Sequence, residues 1–138
     1  PTVQSASATP HEQDPRVDAE LSADLSFHSG ATAHFRSSFL LPEMTFTMHI
    51  RGSEGEALAH NFCVAALDNR ITVVSGGERR VEHHGDKTTY TYQLEAFGRA
   101  VRDGEGIPTD AEDAFTQASL IDQCYEAAGL PLRPRSVV

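Results

Sequence analysis

The sequence predicts an α+β fold: a mostly antiparallel, open β-sheet with helices packed on one face and a C-terminal two-helix segment. Three observations carry that expectation. Between Val17 and Ile50 apolar and polar residues alternate with period two, the pattern of half-buried strands. From Thr89 the apolar spacing changes to three and four, which lines up one stripe of a helix. Glycine-bearing turns and a final Gly129-Leu130-Pro131 stop fall where elements must end.

In chain order, a short alternating run at 2–6 and a proline-interrupted connection precede the clearest strand. Val17, Ala19, Leu21, Ala23, Leu25 and Phe27 form its apolar side. The turn His28-Ser29-Gly30 then leads into a second strand, with Gly30 left-handed and Phe27 opposite Ala31. That register sets Asp24 opposite His34 and Ser22 opposite Arg36, so acids and bases face each other on the outer surface. A third alternation, Met44, Phe46, Met48 and Ile50, is expected to join the same meander through a loop of Leu40, Leu41, Pro42 and Glu43. This places His34 beside His49. Further strands are expected at 56–62, 69–74 and 78–83, with a turn at Gly52-Ser53-Glu54-Gly55 and a two-residue hairpin at Gly76-Gly77.

The first helix spans 89–102 with Tyr90, Leu94, Phe97 and Val101 on one stripe, and Asp103-Gly104 stops it. Arg99 and Arg102 sit in its last turn, where cations suit the helix dipole. The second helix opens on Thr109-Asp110-Ala111-Glu112, a capping-box spacing. Its stripe reads Ala111, Ala114, Phe115, Ala118, Ile121, Tyr125 and Ala128, followed by Gly129 as a left-handed cap. The helices are the candidates to cover the apolar sheet face. The polar face is left for water or for a second copy of the chain.

A length of 138 residues suits one domain over 1–138, the sheet at about 1–86 and the helical pair at about 89–129. Twenty acidic against 11 basic residues give a formal charge of −9, which disfavours nucleic acid, since phosphate backbones are held by clustered cations. No run of about 18 apolar residues occurs, so no membrane partner is expected. Without a charged and then apolar leader in view, a cytoplasmic location is expected. A chain that opens on Pro1 rather than Met reads as a processed start or a piece of a longer chain. Cys63 and Cys124 fall in different elements and are expected to be reduced, and Cys63 is expected to be a small buried hydrophobe rather than a nucleophile.

No GxGxxG, GxxxxGK[ST], HExxH, CxxC or GxSxG pattern is present. A phosphate cradle is therefore missing, and no catalytic or cofactor-binding residue is assigned. Of the seven histidines, His83-His84 and the expected pair His34 and His49 invite a metal reading. Adjacent strand residues point to opposite faces, whereas zinc needs about four convergent ligands, so no metal is expected. Asp110, Glu112 and Asp113 read as a helix cap, and Arg79-Arg80 as a solvated strand edge.

The helical stretch resembles the C-terminal end of the Gfo/Idh/MocA family of oxidoreductases. The residues that carry this are Tyr92-Gln93-Leu94 with Ala96-Phe97, Gly106 and Pro108 with Asp113-Ala114, Leu120-Ile121-Asp122 with Tyr125, and Ala127-Ala128-Gly129-Leu130-Pro131. Upstream, Asp14-Pro15-Arg16-Val17-Asp18, the 27–30 turn and Gly52-Ser53-Glu54-Gly55-Glu56 are similar to that family's sheet.

The resemblance implies a two-domain parent enzyme, of which this chain is the C-terminal, substrate-binding and dimerisation domain. The parent would use NAD or NADP, bound by an N-terminal Rossmann domain, to transfer a hydride at a sugar, polyol or dihydrodiol hydroxyl. The family's glycine loop, its Glu-Lys-Pro lysine and its catalytic Asp/His segment have no counterpart here, so the isolated chain is expected to be inactive and to bind no cofactor alone. The expected partners are the Rossmann domain, a small-molecule substrate and a second copy. His34, Arg36, Thr47 and His49 are the dimer-face candidates. A competing expectation is a non-enzymatic α+β module that dimerises or binds a small ligand.

Overall fold

The computed structural model describes residues 1–85 and 87–132. Seven strands precede two helices, and the chain divides into two compact units: residues 1–42 with 108–138, and residues 43–107. The α+β class is as expected, with both sheets wholly antiparallel.

In the first unit β1 (Thr2–Pro10), β2 (Asp18–Ser26) and β3 (Thr32–Ser38) form a three-stranded meander. β2 alternates as its sequence requires: Ala19, Leu21, Ala23 and Leu25 are buried. The expected β2–β3 register is found, with Asp24 opposite His34 and Ser22 opposite Arg36. Its hairpin closes with the Phe27 N–H donating to the Ala31 carbonyl at 2.9 Å, and Gly30 takes the left-handed φ of 86° that a side chain would resist.

α2 (Ala111–Ala127) covers the apolar side of this sheet. Leu21, Ala23, Leu25, Cys124 and Tyr125 are the buried centre, ringed by Val3, Ala6, Ala8, Phe35, Leu120, Ala128 and Leu130. The packing face keeps Tyr125 and Ala128 of the stripe read in the sequence and differs from it elsewhere. Cys124 is its centre, whereas Phe115 and Ile121 are exposed. The helix carries apolar residues on more than one side, and spacing alone does not choose which side meets the sheet.

The cap also shifts by one residue. Asp110, not Thr109, accepts the N–H groups of Glu112 and Asp113, at 3.0 and 2.9 Å, because a carboxylate there reaches two of the open donors. At the other end the Leu130 N–H donates to the Tyr125 carbonyl and the Gly129 N–H to that of Glu126, with Gly129 at φ 75°. This double closure folds Leu130 back onto the core. The last residues of the predicted helical stretch, Arg133 and Pro134, lie outside the described residues.

In the second unit β4 (Met48–Gly52), β5 (Gly55–Ala59), β6 (Arg70–Ser75) and β7 (Glu78–His83) form a four-stranded meander. This corrects the expectation that the 44–50 alternation pairs with 31–39. Met48 lies opposite Ala59 and His49 opposite Leu58, and Phe35 and His34 pair within the first sheet. Two local causes are visible. The Ser38 hydroxyl takes the Leu40 N–H and ends β3, and Pro42 has no N–H to offer a ladder. The Gly52–Gly55 turn meanwhile hands β4 a neighbour two residues away. Phe46 meets Phe62 edge to face, with ring centres 6.5 Å apart, beside a backbone bond from the Phe62 N–H to the Phe46 carbonyl.

Gly55 permits the turn: a Cβ there would stand 2.1 Å from the Val74 carbonyl oxygen. Gly76 and Gly77, at φ 59° and 81°, make the two-residue hairpin expected between β6 and β7. α1 (Thr89–Asp103) ends at Gly104, as read from the sequence. Its stripe of Tyr90, Leu94, Phe97 and Val101 is amphipathic as expected. However, it is exposed, from 59% at Phe97 to 76% at Tyr90, and does not form the sheet cover assigned to it.

Candidate functional site

The outer face of the first sheet is a ladder of polar pairs, each built by the alternation that buries the other side. Gln4 donates to Ser26 at 2.8 Å, Ser5 to Asp24 at 2.7 Å, and Ser7 shares a 3.0 Å bond with Ser22. His34 Nδ1 lies 2.8 Å from the other oxygen of Asp24, and Arg36 donates twice to Glu20. The hydroxyl of Ser5 and the ring of His34 hold the Asp24 carboxyl below its usual range. Arg36 and Ser38 do the same to Glu20.

This arrangement is a supply of fixed charges and hydroxyls on a flat surface. Ser5, Asp24 and His34 share one cluster, but the carboxylate lies between the other two. The imidazole therefore does not reach the hydroxyl as a base must, and the set is not a nucleophile relay.

On the second sheet, one carboxylate oxygen of Glu56 receives His49 Nε2 at 3.0 Å and Arg51 Nε at 3.3 Å. Thr47 is exposed on the link before β4. Three of the four dimer-face candidates are thus placed on two sheets, His34 and Arg36 on β3 and His49 on β4, with Thr47 just ahead of β4. The side-by-side pairing of His34 with His49 expected from sequence is not formed, because each strand has a different neighbour.

The opposite side of the second sheet carries Met48, Ile50, Ala57, Ala59, Ile71 and Val73 in register. A shallow hollow of about 400 Å³ opens there beside Ile50, Ala57 and Val73. A smaller one, about 290 Å³, lies along α2 at Ala118, Ile121, Asp122 and Tyr125.

Both cysteines are free thiols. Cys124 is almost wholly buried, and that burial pushes its thiol up. Cys63 is exposed, contrary to the expectation of a small buried hydrophobe. It sits in an irregular stretch, after the Phe46–Asn61 bridge, where no alternation dictates an inward side chain. Among the described residues no group of three or more His, Cys, Asp or Glu comes together to hold a metal. His83 bonds Asn69 and His84 bonds Glu82, so these neighbours point to different partners.

Nor do the helix N-termini present a phosphate cradle. The Thr88 hydroxyl accepts the Thr91 N–H at the start of α1, and Asp110 brings a negative charge to the start of α2, joined by Glu112 and Asp113 in its first turn. These residues do not fit a nicotinamide nucleotide's pyrophosphate. Among the described residues no helix is long and apolar enough to cross a membrane.

No protein-family model matches the chain. A curated relative does: the chain is 32% identical over 123 residues to D-xylose 1-dehydrogenase (NADP(+)) 2 of Haloferax volcanii, an alignment covering 87% of this chain. The chain spans 37% of that protein's length, in its C-terminal part. Among solved structures, UDP-N-acetylglucosamine 3-dehydrogenase GnnA from Acidithiobacillus ferrooxidans superposes with a TM-score of 0.76 at 13% identity, over 91% of this chain and 40% of that one. Biliverdin reductase from Synechocystis, solved with biliverdin and NADP+, superposes with a TM-score of 0.65 at 16% identity, over 93% and 41%. The fold is thus that of an oxidoreductase-related α+β domain. The chain is similar to the C-terminal part of that D-xylose dehydrogenase, in keeping with the Gfo/Idh/MocA resemblance read from the sequence.

Proposed function

We propose that this chain is the substrate-side and dimer-forming domain of an NAD(P)-dependent dehydrogenase that acts on the hydroxyl of a sugar or polyol. The observation that carries the reading is the 32% identity with a D-xylose dehydrogenase along 87% of the chain. In such a reaction the C–H hydride passes to the nicotinamide and the hydroxyl proton to a base. The cofactor belongs to a nucleotide-binding domain outside these residues. Support for that comes from the two helix N-termini, each capped by its own side chains, and from the missing glycine loop. The dimer contact is proposed to use exposed strand faces of the two sheets, at His34 and Arg36 on β3 and at Thr47 and His49 just before and on β4.

The test is to purify the polypeptide that carries this chain and follow NADPH or NADH formation with aldoses and polyols. Light scattering of the same sample gives its mass. Cofactor reduction by a dimer supports the reading, and a folded protein that reduces neither cofactor with any such substrate contradicts it.

A further inference from the structure

We draw no further inference here: the strongest candidate, the exposed apolar stripe of Tyr90, Leu94, Phe97 and Val101 along α1, is an unpartnered helix face, and nothing in the structure shows what covers it.

Discussion

The hydroxyl of Tyr125, on α2, donates a hydrogen bond to the carboxylate of Asp18 at the start of β2, 107 residues away in sequence. The ring of Tyr125 lies in the core of the first unit, and the bond, part-buried, joins the helix to the sheet at the margin of that core. A bond of this kind to an ionised partner is worth about 1.5–3 kcal/mol. Tyr125→Phe, which keeps the ring, is expected to lose about 2 kcal/mol in urea unfolding with little change in the slope. Tyr125→Ala, which also leaves a cavity, is expected to lose about 4 kcal/mol. A Tyr125→Phe variant as stable as the parent would show that the hydroxyl contributes nothing.

Acid should weaken the first sheet in a definite direction. Glu20 and Asp24 titrate lower folded than unfolded, chiefly through hydrogen bonds from Arg36 and Ser5 respectively. A depressed carboxyl contributes stability that is present above its unfolded value, near pH 4, and is lost as pH falls through the folded value. Thermal midpoints are therefore expected to decline from about pH 5 downward. Arg36→Gln should make that decline shallower, because Glu20 would lose the guanidinium that lowers it. A variant whose acid limb runs parallel to the parent's would contradict the assignment.

The glycines of the second sheet are not equivalent. At Gly55 an added Cβ would meet the Val74 backbone, which has no flexible end to move aside, and Gly55→Ala is expected to cost about 3 kcal/mol. Gly76→Ala meets open space, and only its positive φ of 59° resists. It should cost about 1–2 kcal/mol. Denaturant midpoints of the two variants measure the difference, and the order Gly76 worse than Gly55 is the outcome that fails.

Thiol chemistry separates the cysteines. Cys63 is exposed and should react with a disulfide reagent in the folded protein within the mixing time of an ordinary assay. Cys124, buried and with its thiol pushed up, should react only as the protein opens. One fast equivalent followed by one that appears with denaturant is the expected trace. Two fast equivalents would contradict the packing of α2 on the first sheet.

Local features were legible in the sequence where the chain itself supplies both partners. The 27–31 turn fixed the β2–β3 register because Gly30 supplies the left-handed residue and alternation leaves one in-phase pairing, hence Asp24 opposite His34. The hairpin at Gly76-Gly77 and the double closure at Gly129 were readable for the same reason. Met48 and Ile50 show the limit: alternation marks a strand and its faces but not its neighbour, and Gly52 and Gly55 offered β4 a nearer one than β3. The Tyr125–Asp18 bond was out of reach because it depends on which side of α2 meets the sheet. Of the candidate site, Asp24 opposite His34 could be placed beforehand, whereas Arg36 was read opposite Ser22 and bonds the diagonal Glu20. The division of His34 and His49 between two sheets could not be placed beforehand, since it follows from that same neighbour choice.

The central claim is that this chain works on the substrate side of a sugar or polyol dehydrogenase, and one titration addresses it most directly. The polypeptide that carries this chain is mixed with NADP+ or NAD+, and absorbance at the nicotinamide band is followed as D-xylose, other aldoses and polyols are added. A rise that saturates with at least one of these substrates, absent when the 138-residue chain is assayed alone, is the predicted result. No reduction of either cofactor by a folded, full polypeptide across the whole panel would contradict it.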